Sequence, residues 1–443
     1  MRIWLSGLVL AAGCGRQLNP DYCADHATDN DCISAGYVYV DAAAPCSTDV
    51  ECVEPGKNVC DVVAHTCVVC TPTDHPSCIN DTKVCSSSDV CVGCVQNTDC
   101  DASGICLTSS GTCAAPDSIL HVSPDGSPTA PCSDAMKCSL DHAVAIADAG
   151  HHVIQLETGS YNLTATITLG FEGLHLVPTP GAAPKISAPN TTVFSVTASV
   201  EIDNVEISGS NSTTIKCSGG GNQPILVLEQ VNIHGSGNDA IDLDQCTLTL
   251  ERSKVYSNQR AAVNANDSSV AIRNCFFYAN GNTFSRAGAV QFNGDTDGRL
   301  EFNTFAYNQG YDQLVYDFIH QKFVPDQDGG GLNCMQQPSS SRQVTVNGNL
   351  FVENKPFTYV ITSSFGQPSC TGNFTTNNLI GTASDAAFVN TSDQHLTAMT
   401  PAGNGKVRDD PSSNCSNVGQ DFDGDTRPLN GACDYGADEF KAP

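Results

Sequence analysis

Ile241-Asp-Leu-Asp244 and Val263-Asn-Ala-Asn266 begin 22 residues apart and share one pattern, apolar residues first and third and polar residues second and fourth. Alternation at period 2 marks a strand with one side in a core and the other in water. The pattern recurs at Phe194-Ser-Val-Thr197, Ile215-Lys-Cys-Ser218, Val290-Gln-Phe-Asn293 and Leu332-Asn-Cys334, so that successive starts are 21, 26, 22, 27 and 42 residues apart. A second series interleaves with the first. Val255-Tyr-Ser-Asn258, Phe277-Tyr-Ala-Asn280, Phe305-Ala-Tyr-Asn308 and Phe351-Val-Glu-Asn354 each place an apolar residue three positions before an asparagine. Asparagine tolerates left-handed backbone and hydrogen-bonds its own chain, so these asparagines are read as turn residues. One such coil cannot bury its apolar side, whereas coils stacked at about 4.8 Å build a continuous core. The spacing therefore predicts an all-β solenoid of parallel coils, with the 42-residue interval holding an insertion.

A solenoid needs covered ends. Ser139-Leu-Asp-His-Ala-Val-Ala-Ile-Ala-Asp-Ala-Gly150 predicts a helix with Ser139 as N-cap and Gly150 as terminator, its Leu140, Val144 and Ala147 side set against the first coil. Cys132 and Cys138 are expected to close the loop before it. The stretch from His121-Val-Ser-Pro-Asp-Gly126 through this helix to Ile154-Gln-Leu-Glu-Thr-Gly-Ser-Tyr161 resembles the entry to bacterial right-handed parallel β-helix proteins of the pectin-lyase-like superfamily. Asp421-Phe-Asp-Gly-Asp-Thr-Arg-Pro428, followed by Asp434-Tyr-Gly-Ala-Asp-Glu439, resembles the ending of secreted choice-of-anchor Q proteins. Together the resemblance spans roughly residues 119 to 440. It implies a right-handed parallel β-helix in an extracellular setting and leaves the reaction open, because this fold hosts lyases, hydrolases and adhesins.

The first residues, Met-Arg-Ile-Trp-Leu-Ser-Gly-Leu-Val-Leu-Ala-Ala-Gly-Cys14, combine one basic residue, a short apolar run and small residues before Cys14, which reads as an export signal over 1–13. The run is too short to span a bilayer. Leu10-Ala-Ala-Gly-Cys14 resembles the bacterial lipobox, with Ala11 where that family usually has Leu, and this implies acylation of Cys14 and a lipid-anchored linker over 14–45. The 24 cysteines fit an oxidising compartment. Twelve of them form three blocks over 46–113, opened by Cys46, Cys70 and Cys94, with polar residues and glycine between. Units this small need covalent bridges, and four cysteines leave three pairings open. Cys67-Val-Val-Cys70 and Cys91-Val-Gly-Cys94 have the spacing of zinc or redox pairs but fall where the repeats abut. Once Cys14 is acylated, 24 − 1 leaves 23, an odd number, so at least one cysteine stays unpaired or bridges to another chain; Cys217 and Cys334, at inward positions, read as buried thiols. The β-helix is placed over 114–400 and a C-terminal cap over 401–443, covering the last coil and tied by a Cys415 to Cys433 bridge.

Composition excludes some partners. With 48 acidic residues against 20 Lys and Arg, a net charge of −28 opposes nucleic acid and anionic lipid surfaces, leaving membrane contact to the lipid anchor. The outward positions of the first series form two polar columns, Ser195, Lys216, Asp242, Asn264, Gln291 and Asn333 beside Thr197, Ser218, Asp244, Asn266 and Asn293. Asp242 and Asp244 suit Ca²⁺ held against a uronate, with Lys216, Arg260 or Arg286 as base or clamp. Asp239, Asp242 and Asp244 alternatively suit acid and base roles in glycoside hydrolysis. The structural alternative is a Lys216–Asp242 ion pair and a ladder of amides that satisfies itself. The Arg-x-Pro-x-x-Arg pattern of pectate lyases and the Gly-His-Gly and Arg-Ile-Lys elements of polygalacturonases have no clear match, although Gly237-Asn-Asp-Ala-Ile-Asp242 distantly resembles the carboxylate region of the latter.

Tyr311, Tyr316, Phe318, His320 and Phe323 lie in the insertion, where rings can stack on sugars. His234 reads as a surface or turn residue. Asp421, Asp423 and Asp425 alternate around Gly424 as in a Ca²⁺ loop, without the usual downstream Glu and with Arg427 as a rival partner. The reading is a non-catalytic lipoprotein of the outer membrane or cell surface presenting its β-helix to extracellular polysaccharide or a surface protein. Its rival is a polysaccharide lyase or glycoside hydrolase acting on uronate-containing polysaccharide.

Overall fold

The computed structural model describes residues 46–52, 57–71, 78, 84–86, 90–94, 97–100, 103–107, 110–282, 288–310, 312–317, 322–327, 329–336, 343–355, 357–360, 377–403, 405–411, 413, 415, 418–429 and 431–441. The chain divides into two units, Met1–Val92 and Gly93–Pro443. In the first unit two cysteine repeats pair first with third and second with fourth: Cys46–Cys60 and Cys52–Cys67, then Cys70–Cys85 and Cys78–Cys91. Each repeat carries a two-stranded antiparallel ribbon, Val59–Asp61 with Thr66–Val68 and Val84–Cys85 with Cys91–Val92. Bridges that close loops this short contribute roughly 3 kcal/mol each.

The second unit opens with the third repeat, bridged in the same order by Cys94–Cys106 and Cys100–Cys113. Its Ile105, Leu107 and Ala114 pack with Ile119, Val153 and Val177 of the first coils. The solenoid that follows has three parallel sheets. The first face runs from Ile167–Leu169 through Phe194–Val196, Ile215–Ser218, Ile241–Asp244, Val263–Asn266, Val290–Gly294 and Gly329–Gln336 to Phe357–Val360. The second runs from Ile119–Ser127 to Val344–Asn347 and the third from Gly159–Asn162 to Leu379–Gly381. Register follows the sequence pattern. Phe194, Ile215, Ile241, Val263, Val290 and Leu332 form one inward column, and Val255, Phe277, Phe305 and Phe351 another. The last three rings stack at centroid distances of 5.1 and 4.7 Å. Gly298 occupies an inward position where a Cβ would lie 2.6 Å from the Phe292 ring, so the missing side chain makes room for that ring.

Several expectations are corrected. The left-handed residues of the third turn are Ser257, Ala279, Tyr307 and Glu353, one before each asparagine. Asn258, Asn280, Asn308 and Asn354 instead point inward and are buried, because their amides are needed to satisfy the backbone inside the stack. The cap helix covers only Leu140–Ile146, with Leu140 and Ala143 buried. It stops at Ala147 because the Asp148 carboxylate accepts the N–H groups of Gly150 and His151, both at 2.9 Å, and closes a turn that competes with the helix. Ser139 stands at the N-cap without a side-chain cap bond. Cys217 is bonded to Cys246 and Cys334 is also disulfide-bonded; the free buried thiol among the described residues is Cys275. Cys217 faces a partner in the next turn, outside both sequence ladders. Cys132 bonds Cys138, and Cys415 bonds Cys433.

The insertion contains an antiparallel hairpin, Asp312–Asp317 with Lys322–Gln327. The described residues of the C-terminal segment cover a flank of the coils. They pack along the outside of the third face, where Ala386, Leu396, Val407, Tyr435 and Ala437 cover Phe276, Tyr278, Ala306, Leu350 and Val352. Gly436 N–H donates to Gly348 O at 2.9 Å, Ala437 N–H to Thr304 Oγ1 at 3.0 Å, and Asn274 Nδ2 to Gln420 O at 2.7 Å. Apolar residues on the outer side of these coils create the need for the cover. Among the described residues no helix is long and apolar enough to cross a membrane.

Candidate functional site

The polar stripe on the first face is built by register. Lys216 stands beside Ser195 and Asp242, Asp242 beside Asn264, Asn264 beside Gln291, and Gln291 beside Asn333. Asn264 Nδ2 donates to Asp242 Oδ1 at 3.0 Å and Asn266 Nδ2 to Asp244 Oδ1 at 3.1 Å. Asn293 Nδ2 donates to Asn264 Oδ1 at 2.9 Å and Gln291 Nε2 to Asn293 Oδ1 at 2.8 Å. The carboxylates are thus tied to amides of the next coil. Lys216 is exposed and pulls on Asp242 through its charge, but the two form no ion pair within 4.0 Å.

Asp239 lies just before the strand, its Oδ1 accepting from Ala261 N–H at 3.0 Å. Burial, helped by the neighbouring charge of Asp242, pushes its carboxyl up to about 6, against the pull of Arg260. Burial raises Asp242 as well, opposed by the Asn264 bond and Lys216. Asp239, Asp242, Arg260 and Lys216 therefore form one electrostatic group at the entry to the stripe, with Asp244, Asn266 and Asn293 beyond it. Arg286 and Tyr311 lie outside the described residues, as do Phe318, His320 and Cys14; Tyr316 and Phe323 lie on the hairpin strands.

The three acids of the C-terminal loop do not converge. Asp421 is buried and accepts from Asp425 N–H at 2.7 Å and Glu439 N–H at 2.9 Å; Asp423 faces His395 at 3.3 Å; Asp425 pairs with Lys441 at 2.8 Å. Arg427 pairs with Glu439 rather than with this loop's carboxylates.

A charged ladder also runs along the second face, where Asp203, Glu229, Glu251, Arg273 and Glu301 occupy one column. Arg252 pairs with Glu229, Arg273 with Glu251 at 3.4 Å, and Arg299 with Glu301 at 2.8 Å. Asp203, at the end of the column, is pushed up to about 7 by burial and by Glu229 and Glu201. Its folded-state value exceeds the unfolded one, so its stabilising contribution is fully present below the unfolded value of 3.8 and is lost as pH rises through 7. Asp203→Asn is therefore expected to raise the unfolding midpoint by several degrees at pH 8, with the gain shrinking toward pH 4. Thermal scans across this range check it; a gain independent of pH would assign the effect to something other than ionisation.

Comparison with known families agrees with this architecture. The model of the right-handed beta helix region matches residues 193–399. The fold is a right-handed parallel β-helix. A solved pectate lyase, Pel9A, is similar to the β-helix over 73% of this chain and 96% of its own, with 14% identity and a TM-score of 0.44. No curated protein matches the sequence.

Sequence reading missed one cluster on the β-helix flank. Asp393, His395, Asp423 and Asp438 meet beside Lys254 and Phe276. They come from three separate turns, so no spacing announces them. His234, read as a surface residue, stacks on Tyr256 at 4.8 Å and faces Glu206.

Proposed function

We propose that the β-helix is a non-catalytic surface module, exported and lipid-anchored through Cys14, that contacts extracellular glycan or protein with its first-face stripe. The observation that supports this reading most is the tying of Asp242 and Asp244 to Asn264 and Asn266, since acids held by neighbouring amides are poised for hydrogen bonding rather than for proton transfer. Stacked coils repeat the same donors and acceptors along an extended chain. The disulfides of the cysteine repeats favour an oxidising compartment.

One observation favours the second reading, a lyase or glycoside hydrolase. Asp239, raised to about 6 by burial and Asp242, keeps its proton into the mildly acidic range, within reach of the charge of Arg260, the direction a general acid needs. In that reading Ca²⁺ would bridge Asp242 and Asp244 to a uronate.

Both are tested with the purified ectodomain and a panel of uronate-containing and neutral polysaccharides, with and without Ca²⁺. Retention without unsaturated products or new reducing ends is expected, weakened about tenfold by Asn264→Ala through the loss of one hydrogen-bonded rung. Turnover abolished by Asp239→Asn or Asp242→Ala would establish the enzyme instead. Incorporation of labelled fatty acid, absent from Cys14→Ser, tests the anchor.

A further inference from the structure

The half-buried imidazole of His395 on the flank of the third face has an unusual setting. His395 Nδ1 is held by Asp393 Oδ1, which also accepts the His395 backbone N–H at 3.2 Å. Its Nε2 is buried without a hydrogen-bond partner. Asp423 Oδ2 lies 3.3 Å from it, an ion-pair contact. Asp438 is buried, its carboxylate fixed by Leu396 N–H at 2.7 Å. One donor atom each from His395, Asp423 and Asp438 lie within 4.8 Å of one another.

We propose that His395, Asp423 and Asp438 bind a divalent transition ion of the zinc class. Asp393 is the positioning residue. A carboxylate on Nδ1 fixes the tautomer whose Nε2 lone pair points at the ion, the usual outer-shell arrangement of a ligating histidine. Zinc bonds of about 2.0–2.2 Å set tetrahedral donors a little over 3 Å apart, matching the separation of Nε2 from Asp423 Oδ2. One nitrogen and two carboxylate oxygens suit Zn²⁺ and its neighbours, whereas Ca²⁺ and Mg²⁺ take oxygen donors. Phe276 and Phe422 stand against the imidazole at 5.1 and 5.6 Å and shield the site. The nearby cation is Lys254, whose ammonium rests over the Phe422 ring at 4.8 Å and opposes binding through its charge. The three ligands come from three turns, so the ion would staple the C-terminal segment together.

The test uses the full chain with disulfides intact, stripped by chelator and dialysed, then titrated separately with Co²⁺, Zn²⁺ and Ca²⁺. One Co²⁺ per chain with visible d–d absorption is expected, together with a rise in unfolding midpoint on adding Zn²⁺ and no such rise with Ca²⁺. His395→Gln is expected to abolish both signals. Asp423→Asn, at a half-exposed carboxylate, is expected to fold and to weaken Co²⁺ at least tenfold. Absence of stoichiometric Co²⁺, or an equal Zn²⁺ shift in wild type and His395→Gln, overturns the proposal and leaves His395 as an ion-paired imidazolium. If His395→Gln does not fold, unchanged Co²⁺ affinity and spectrum in Asp423→Asn overturn it equally.

Discussion

Arg427→Met is expected to detach the C-terminal segment from the β-helix at pH 8 while the coils stay folded. The guanidinium is fully buried, donating to Asp434 O at 3.1 Å, Gly436 O at 2.7 Å and Glu439 Oε2 at 3.0 Å, and resting 4.9 Å from the Phe302 ring centroid. Asp421, Asp434, Asp438 and Glu439 surround it, all buried. Removing one member of a buried pair leaves the other charge uncompensated, at a cost of about 3–5 kcal/mol. Burial and the neighbouring acids already push Asp434 up to about 7, and burial pushes Asp438 up to about 6. Both hold protons more tightly folded than unfolded, so their support is present at low pH and is lost as pH rises through 6 to 7. The variant should therefore lose its cap readily at pH 8 and recover part of it at pH 5. Limited proteolysis at the two pH values reads this directly; equal release at both would rule out the carboxylates as the cause.

Asn308→Leu should cost as much from the opposite side of the same sheet. Asn308 Nδ2 donates to Phe277 O and to Asn354 Oδ1, both at 2.9 Å, and its Oδ1 accepts from Asn280 N–H at 3.1 Å and Asn280 Nδ2 at 2.9 Å. Leucine keeps the branching at Cγ, is somewhat larger, and makes none of these bonds. Four buried polar groups lose a partner, and although Asn354 Oδ1 keeps the Asn308 N–H and Asn280 Nδ2 keeps Val255 O, the other two at about 1–3 kcal/mol each give an expected loss on the order of 4 kcal/mol. Denaturant titration would show it as a lowered midpoint. A loss below about 1 kcal/mol would mean that water or a shifted backbone takes over the ladder.

The register of the β-helix was legible because inward columns such as Ile241, Val263 and Val290 repeat one strand pattern, and a slip of one residue would expose every one of them. The polar columns followed from the same parity, so the stripe from Lys216 to Asn293 was legible too. Turns were harder. Ser257 and Ala279 take the left-handed conformation although neither residue type advertises it, and Cys246 and Cys275 sit at turn edges outside both ladders. The flank cover did leave a trace. Phe276-Phe-Tyr278 and Leu350-Phe-Val352 are apolar on both sides, the mark of strands buried on two faces rather than one. The meeting of His395 with Asp423 and Asp438 left none, because tertiary packing alone joins those turns.

The docking of the third cysteine repeat bears on how the second unit would respond to a pull applied at its N-terminal end. Tension applied at Gly93 would meet a cross-linked knot, Cys94–Cys106 and Cys100–Cys113, before any strand of the solenoid. Because Ile105, Leu107 and Ala114 are seated against Ile119, Val153 and Val177, the pull is shared among three neighbouring strands of the second face. Those strands must then shear together instead of peeling off one hydrogen bond at a time, which makes the first coils a resistant end from which to be held.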